Sequence, residues 1–129
     1  MYFLGIDLGS SSVKLSIFDA DSQQSIAAVG EPKSEMAMEA LQPGWAEQDP
    51  NQWWENVKIA LQRLQSEYQI DLTQIKAIGI AYQMHGLVLT DSHLNPVRPS
   101  IIWCDSRAAT IGDKAFEEIG EEKCHDMIL

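Results

Sequence analysis

Y-F-L-G-I-D-L-G-S-S-S-V-K-L-S-I-F, residues 2–18, is the stretch that decides the fold. Its first part, Tyr2–Leu8, is an apolar run interrupted by one carboxylate. Its last part, Val13–Phe18, is rich in the β-branched and aromatic residues that strands favour. The residues between them, Gly9–Ser12, are too few for anything but a hairpin connection. The sequence therefore predicts two antiparallel strands at the start of the chain.

A phosphate site is the chemistry that this hairpin suggests. Successive N–H groups in a tight glycine-containing turn can hold an anion, and Ser10, Ser11 and Ser12 add hydroxyl groups. Asp7 ends the first strand beside the turn, where a carboxylate next to phosphates is typical of a magnesium site. Lys14 follows on the second strand and could add a positive charge to the same place.

The hairpin alone leaves the function open. Hairpins with a Gly-Ser turn also occur in proteins that bind no ligand, and Asp7 would then only face solvent at a strand end. The turn is not a Walker A loop, because no Gly-Lys-Ser/Thr leads into a helix. Nor is it a dinucleotide-binding fingerprint, since a strand rather than a helix follows it.

The chain is acidic. Its 129 residues are the length of one domain, and an apolar content of 45% is normal for a protein with a buried core. Nine basic residues against nineteen acidic ones give a formal net charge of −10. This balance argues against nucleic acid as a partner, because phosphate backbones require a basic surface. An anionic substrate would have to be held by a local positive site.

The sequence predicts a cytoplasmic protein without a membrane partner. Its longest apolar runs are far shorter than a membrane span, and its first residues lack the basic start and small-residue cleavage site of a secretory signal. Cys104 and Cys124 form no short-range motif and no metal-ligand spacing with a histidine, so both are expected to be reduced thiols.

The remaining pattern predicts an α/β fold. Ser25–Gly30 reads as a third strand after a polar turn, which makes an antiparallel three-strand meander. Asp49 and Pro50 are typical of an N-cap and a first helical residue, and the apolar spacing behind them predicts a helix to about residue 68. Ile75–Tyr82 then reads as a strand parallel to an earlier one, because a helical crossover precedes it.

Shorter elements are predicted after this strand. Leu87–Leu89 reads as another strand beyond the interruption Q-M-H-G at residues 83–86. A second helix is expected to be capped by Asp105 or Ser106 and to end near Ile119. Helical spacing predicts an inner face of Ala108, Ile111, Ala115 and Ile119. The last three residues read as part of an apolar segment.

Four sequence blocks resemble those of one enzyme family. They are, in order, G-I-D-L-G-S-S-S-V-K at residues 5–14, G-W-A-E-Q-D-P-N-Q-W-W at 44–54, Q-M-H-G at 83–86 and P-S-I-I-W-C-D-S-R at 99–107. In these blocks the chain resembles the N-terminal end of the FGGY carbohydrate kinases, most closely the xylulose kinase group. The first block is shared across a wider superfamily. All four in this order and spacing are specific, and together they span nearly the whole chain.

The resemblance implies a fold and a reaction. The fold is the ribonuclease-H-like half-domain of the actin-like ATPase and sugar kinase superfamily, with a mixed sheet that starts with the three-strand meander and is flanked by helices. The reaction is phosphoryl transfer from ATP, with Mg²⁺, to a hydroxyl of a sugar, here expected to be the ketopentose D-xylulose. Such a reaction demands positioning and charge neutralisation more than covalent chemistry.

The same resemblance implies the site residues. Asp7 matches the catalytic carboxylate that supports magnesium and the phosphates, and Lys14 matches a basic position near them. The turn that receives the ATP phosphates matches Gly9, Ser10, Ser11 and Ser12. The pair that contacts the ketose matches Met84 and His85. A block near the sugar site matches Trp103, Asp105 and Arg107, for which the resemblance implies proximity rather than a fixed role. Without it, Asp105 could be only a helix cap and Arg107 its surface partner.

The chain is also expected to be the N-terminal portion of the first domain of a longer kinase. Family members are several times longer, with a second domain that supplies the adenosine pocket and a general base that is expected well beyond residue 129. Residues 1–129 alone are therefore expected to be inactive, and to self-associate through exposed apolar surface.

Two alternatives remain beside the kinase. One is a non-catalytic nucleotide or sugar sensor of the same superfamily, and the other is an α/β domain whose motif matches are accidental. Within the family the sugar also stays open, because ribulose, fuculose, gluconate and glycerol kinases share the scaffold and differ in a few polar contacts.

Overall fold

The structure is a computed structural model that describes residues 1–128, without the side chains of Met127 and Ile128. The predicted apolar end of the chain therefore lies outside the described side chains. The elements in chain order are β1 (Tyr2–Leu8), β2 (Val13–Asp19), β3 (Gln24–Glu31), β4 (Glu47–Gln48), α1 (Pro50–Tyr68), a 3₁₀ turn (Leu72–Gln74), β5 (Ile75–Tyr82), β6 (Ser100–Ile101), α2 (Ala109–Ile119) and α3 (Glu121–Ile128).

The main sheet confirms the predicted meander and the predicted crossover. Its strand order is β3-β2-β1-β5, with β1 antiparallel to β2, β2 antiparallel to β3 and β1 parallel to β5. The hairpin register pairs Leu8 with Val13 and Asp7 with Lys14, so the connecting turn is Gly9–Ser12, as predicted. The long connection from β3 through α1 allows β5 to run parallel to β1.

One face of the sheet holds the core. Alternate residues of β2 are buried, because successive side chains of a strand point to opposite faces. Helix α1 begins where predicted, with the Asp49 carboxylate accepting a hydrogen bond from the Asn51 N–H at 2.9 Å and Pro50 in the first position. The helix packs on β2 and β3. The buried core consists of Leu4, Val13, Leu15, Ile17, Ala27, Val29, Met36, Val57, Ala60, Leu64 and Ile70.

The other face and one edge of the sheet are open in the described part of the chain. Asp7 and Lys14 belong to the open face, since the strand alternation turns their neighbours in sequence towards the core. Within residues 1–128, strand β5 has a neighbouring strand on one side only. Helix α1 does not cover this strand, and Ile78, Ile80 and Tyr82 are 58%, 60% and 67% exposed.

Three local predictions are wrong. Leu87–Leu89 is not a strand, and only Leu87 forms an isolated bridge with β6. The chain turns again at Asp91, whose carboxylate accepts hydrogen bonds from the N–H groups of His93 and Asn95. Helix α2 begins later than predicted, so Ala108 rather than Asp105 or Ser106 occupies the N-cap position, and no side chain caps the helix. Its expected inner face is exposed, with Ile111 at 70%, because the main contact of α2 is α3 rather than the sheet. Within residues 1–128, no helix is both long and apolar enough to cross a bilayer.

Candidate functional site

The turn Gly9–Ser12 is held through its carbonyl oxygens. The Gln48 side chain donates from Nε2 to the carbonyl of Ser10 at 2.6 Å, and the Met36 N–H donates to the carbonyl of Ser11 at 2.8 Å. Among the described residues, none accepts a hydrogen bond from the N–H groups of the three serines of the turn. The turn therefore presents free backbone donors, as an anion-binding turn must.

Asp7 and Lys14 face each other across the hairpin next to this turn. They are partners in register, with Asp7 Oδ2 at 3.8 Å from Lys14 Nζ, and their side chains are 51% and 66% exposed. Both line an open concavity of about 920 Å³ on the uncovered face of the sheet, where small residues such as Gly5 and Gly79 make room.

Asp7 is an exposed carboxylate on the strand that leads into the turn, and its binding of a magnesium ion stays a prediction. Within residues 1–128, no group of three or more histidine, cysteine, aspartate or glutamate side chains is arranged to hold a metal ion. A single exposed carboxylate beside a phosphate site nevertheless fits Mg²⁺, which proteins bind through one or two carboxylates while waters and substrate phosphates complete the shell.

The Q-M-H-G loop starts beside the same turn. Strands β1 and β5 are parallel, so their carboxyl ends lie at one edge of the sheet, and the Gln83 N–H donates to the Leu8 carbonyl at 3.0 Å. The loop residues, among them Met84 and His85, line a pocket of about 310 Å³ together with Trp53 of α1. The carboxyl edge of parallel strands is where α/β folds commonly bind ligands. The predicted phosphate turn and the predicted sugar loop are therefore neighbours.

The backbone of the loop is strained at His85. Its φ of 61° lies in the left-handed region, which costs a residue with a Cβ about 1–2 kcal/mol. Met84, the residue before it, is 65% exposed. The buried Gln83 Oε1 has no hydrogen-bond partner in the described part of the chain. A strained residue beside a pocket is a pattern found at functional sites.

Trp103 connects the fourth sequence block to the turn. Its Nε1 donates to Ser10 Oγ at 3.3 Å, although the two residues are 93 positions apart in the sequence. The indole is 58% exposed, so one side of it faces solvent at the site. Contact of Trp103 with a sugar stays a prediction.

Asp105 and Arg107 form an internal network rather than a helix cap and its surface partner. Arg107 Nη2 lies 2.7 Å from Asp105 Oδ2 and 2.6 Å from Glu47 Oε1, and its guanidinium lies 3.7 Å from the centroid of the Trp45 ring. Asp105 Oδ2 also accepts a hydrogen bond from the Ala46 N–H at 2.6 Å. The network joins the loop before α1 to the loop that carries Trp103.

The electrostatics of this network are those of a fixed ion pair. Hydrogen bonds from the Arg107 guanidinium hold the pKa of the Asp105 carboxyl well below its usual range. The side chains of Asp105 and Arg107 are only 2% and 17% exposed. A direct contact of either with a substrate is untested and stays a prediction.

Sequence reasoning missed two buried polar residues of this region. Glu47 and Gln48 are 3% and 2% exposed. Glu47 pairs with Arg98 as well as Arg107, and Gln48 supports the turn. The available signal was their place in the G-W-A-E-Q-D-P block just before the helix cap. Their partners are distant in the sequence, so spacing could not assign them a role.

Comparison with known proteins identifies the family. The family model for the FGGY family of carbohydrate kinases, N-terminal domain, matches residues 2–127. The chain belongs to this family. It is 36% identical over 107 residues to the xylulose kinase of Escherichia coli (strain K12), a match that covers 83% of this chain and 21% of that protein. It is 34% identical over 123 residues to the glycerol kinase of Sinorhizobium fredii (strain NBRC 101917 / NGR234), covering 95% of this chain and 24% of that protein.

A solved kinase structure has the same fold. The crystal structure of a "xyloylose kinase" from Brucella ovis superposes with a TM-score of 0.77 at 35% identity, covering 92% of this chain and 25% of that one. These matches confirm the predicted ribonuclease-H-like half-domain of the sugar kinases and exclude accidental motif matches. This FGGY chain spans about a quarter of the length of the relatives it matches. Kinases named for different substrates match it, so they do not decide the sugar.

Proposed function

We propose that this chain is the N-terminal part of an ATP-dependent carbohydrate kinase that phosphorylates a hydroxyl of D-xylulose. The observation that carries the proposal is the meeting of Asp7, the turn Gly9–Ser12 and the Q-M-H-G loop at one edge of the sheet. Phosphoryl transfer requires a place for the phosphates, a carboxylate for their cation and a polar pocket for the acceptor, all within reach of one another.

The turn and Lys14 hold the phosphate tail of ATP in this proposal. The free N–H groups of the three serines donate to phosphate oxygens, and their hydroxyls add further donors. Lys14 supplies a local positive charge, which a chain of net charge −10 needs in order to attract an anionic substrate. Asp7 provides an oxygen ligand for magnesium. When bound, that ion neutralises charge on the phosphates.

The pocket beside the Q-M-H-G loop holds the sugar in this proposal. The His85 imidazole can both donate and accept hydrogen bonds with sugar hydroxyls, and Met84 offers an adaptable apolar contact. Asp105 and Arg107 stabilise the loop that carries Trp103, whose indole donates a hydrogen bond to Ser10 of the turn.

The rest of the catalytic centre comes from residues outside this chain. A second domain would close over the nucleotide, and an aspartate beyond residue 129 would take the proton of the attacking hydroxyl. Residues 1–129 alone are therefore expected to show no turnover. The cytoplasm is the expected compartment, because it supplies ATP and keeps thiols reduced, and Cys104 and Cys124 are both free.

A coupled assay of ADP release on the full-length protein tests the proposal. With ATP and Mg²⁺, we expect kcat/KM for D-xylulose to exceed that for ribulose, gluconate and glycerol at least tenfold. ADP release without sugar is the control. No turnover of any sugar would refute the kinase, and a preference for glycerol would refute the substrate. Sugar binding without transfer, measured by isothermal titration calorimetry, would instead favour a sensor.

A further inference from the structure

Gln48 is a buried residue that contacts the turn Gly9–Ser12. Its Nε2 donates to the carbonyl of Ser10 at 2.6 Å and to the carbonyl of Ala37 at 3.3 Å, while its Oε1 accepts from Trp53 Nε1 at 3.2 Å. Carbonyls only accept and an indole only donates, so a single orientation of the amide satisfies all three partners. Gln48 therefore holds the Ser10 carbonyl with an amide whose own orientation is set by Ala37 and Trp53.

Holding the Ser10 carbonyl also directs the next N–H group. In a trans peptide the C=O and the following N–H lie in one plane and point in opposite directions. Since the Ser10 carbonyl points at Gln48, the Ser11 N–H points away from Gln48. Met36 has the same effect on the next peptide, because its N–H holds the Ser11 carbonyl at 2.8 Å and so directs the Ser12 N–H.

We infer that Gln48 is a positioning residue for the nucleotide. It holds the peptide between Ser10 and Ser11 so that the Ser11 N–H is directed at a phosphate oxygen, while Gln48 itself touches no phosphate. The inference rests on the proposed function, because it requires nucleotide phosphates at this turn. Trp103 acts differently, since it binds the Ser10 hydroxyl rather than the backbone.

Gln48→Glu in the full-length protein tests this role. The substitution keeps the shape and the acceptor for Trp53, but it places an anion where the donor to the Ser10 carbonyl was. We expect the KM for Mg·ATP and the Kd for Mg·ADP to rise at least tenfold, which is 1.4 kcal/mol, while the KM for the sugar changes less than twofold. Gln65→Glu is the matched control, because Gln65 is exposed on α1, and we expect it to change neither constant.

Gln48→Met is the second variant, in case the buried charge prevents folding. It removes the donor without adding charge, and we expect a rise of about fivefold in the same two nucleotide constants. A loss of thermal stability with unchanged nucleotide constants, or an equal rise for nucleotide and sugar, would overturn the inference.

The measurements separate this inference from the proposed function. If the unsubstituted protein binds Mg·ADP but transfers no phosphate, the proposed reaction fails and the Kd comparison still decides the role of Gln48. If the unsubstituted protein binds no nucleotide, both fail together.

Discussion

Replacing Asp7 with asparagine should remove most phosphoryl transfer and leave the fold intact. The structural cost is small, because Asp7 and Lys14 are 3.8 Å apart with more than half of each side chain exposed. At that distance in water the Coulomb energy of a pair is about 1 kcal/mol, and exposed pairs commonly contribute less than that. The variant should therefore lose less than about 1 kcal/mol of unfolding free energy.

The expected loss of activity is much larger. Asparagine keeps the shape of the side chain but removes the charge that faces the cation, and losing one such electrostatic contact costs about 10²–10³-fold in kcat. Steady-state rates of the full-length protein over a range of Mg²⁺ concentrations, together with thermal unfolding, separate the two effects.

Asp113→Asn is the control for this experiment. Asp113 is an exposed carboxylate in α2, and its substitution should change neither rate nor stability. A kcat for Asp7→Asn within threefold of the unsubstituted protein at saturating Mg²⁺ would refute the reasoning. A loss of activity that only parallels a loss of stability would refute it equally.

Three further substitutions test other parts of the site. His85→Asn should leave stability within about 1 kcal/mol, because asparagine tolerates a φ of 61°, and should raise the KM for the sugar about tenfold in the kinase assay; an unchanged KM would remove His85 from the sugar site. Gly44→Ala should cost about 2 kcal/mol in urea unfolding, because Gly44 has a φ of +80° and a Cβ there would lie 2.4 Å from Ser106 Oγ. Adding Ser106→Ala should restore only the part of the unfolding free energy that the clash removes. Full restoration of the unfolding free energy would argue against backbone strain at Gly44. For Asp105→Asn, the comparison is pH-dependent. The lowered pKa of Asp105 stabilises the fold above about pH 4, its ordinary range, and this contribution is lost as the pH falls towards the lowered pKa. The difference in Tm between Asp105→Asn and the unsubstituted protein should therefore be constant at neutral pH and become smaller below about pH 4. A difference in Tm that does not vary with pH would contradict the inference that Arg107 lowers the pKa of Asp105.

The first two thirds of the fold could be predicted because its signals are local. Tyr2–Leu8 and Val13–Phe18 pair through a connection too short for any other arrangement, and Asp49 with Pro50 marks a helix start by its own chemistry. The inner face of α2 was predicted wrongly for the opposite reason. Helical spacing shows that Ile111 and Ile119 share a face, but burial requires a partner layer, and spacing does not supply one.

The site was predictable where sequence motifs and strand order coincide. Asp7 lies near the end of β1 and the Q-M-H-G loop follows the parallel strand β5, so their meeting at one sheet edge follows from topology once the crossover is known. The buried residues that support the site were not predictable, because their contacts join positions that are distant in the sequence. Gln48 reaches Ser10 across 38 residues, and Glu47 pairs with Arg98 across 51.

The outermost strand, Ile75–Tyr82, has a further consequence for work with this polypeptide. Within residues 1–128 its outer edge has no hydrogen-bonded partner strand, and one helix about 10 Å wide cannot cover four strands spaced about 4.8 Å apart. An exposed strand edge of this kind can pair with a strand of another chain. At high concentration, copies are expected to add to one another along it, so a melting temperature measured on residues 1–129 would report the assembly as much as the domain.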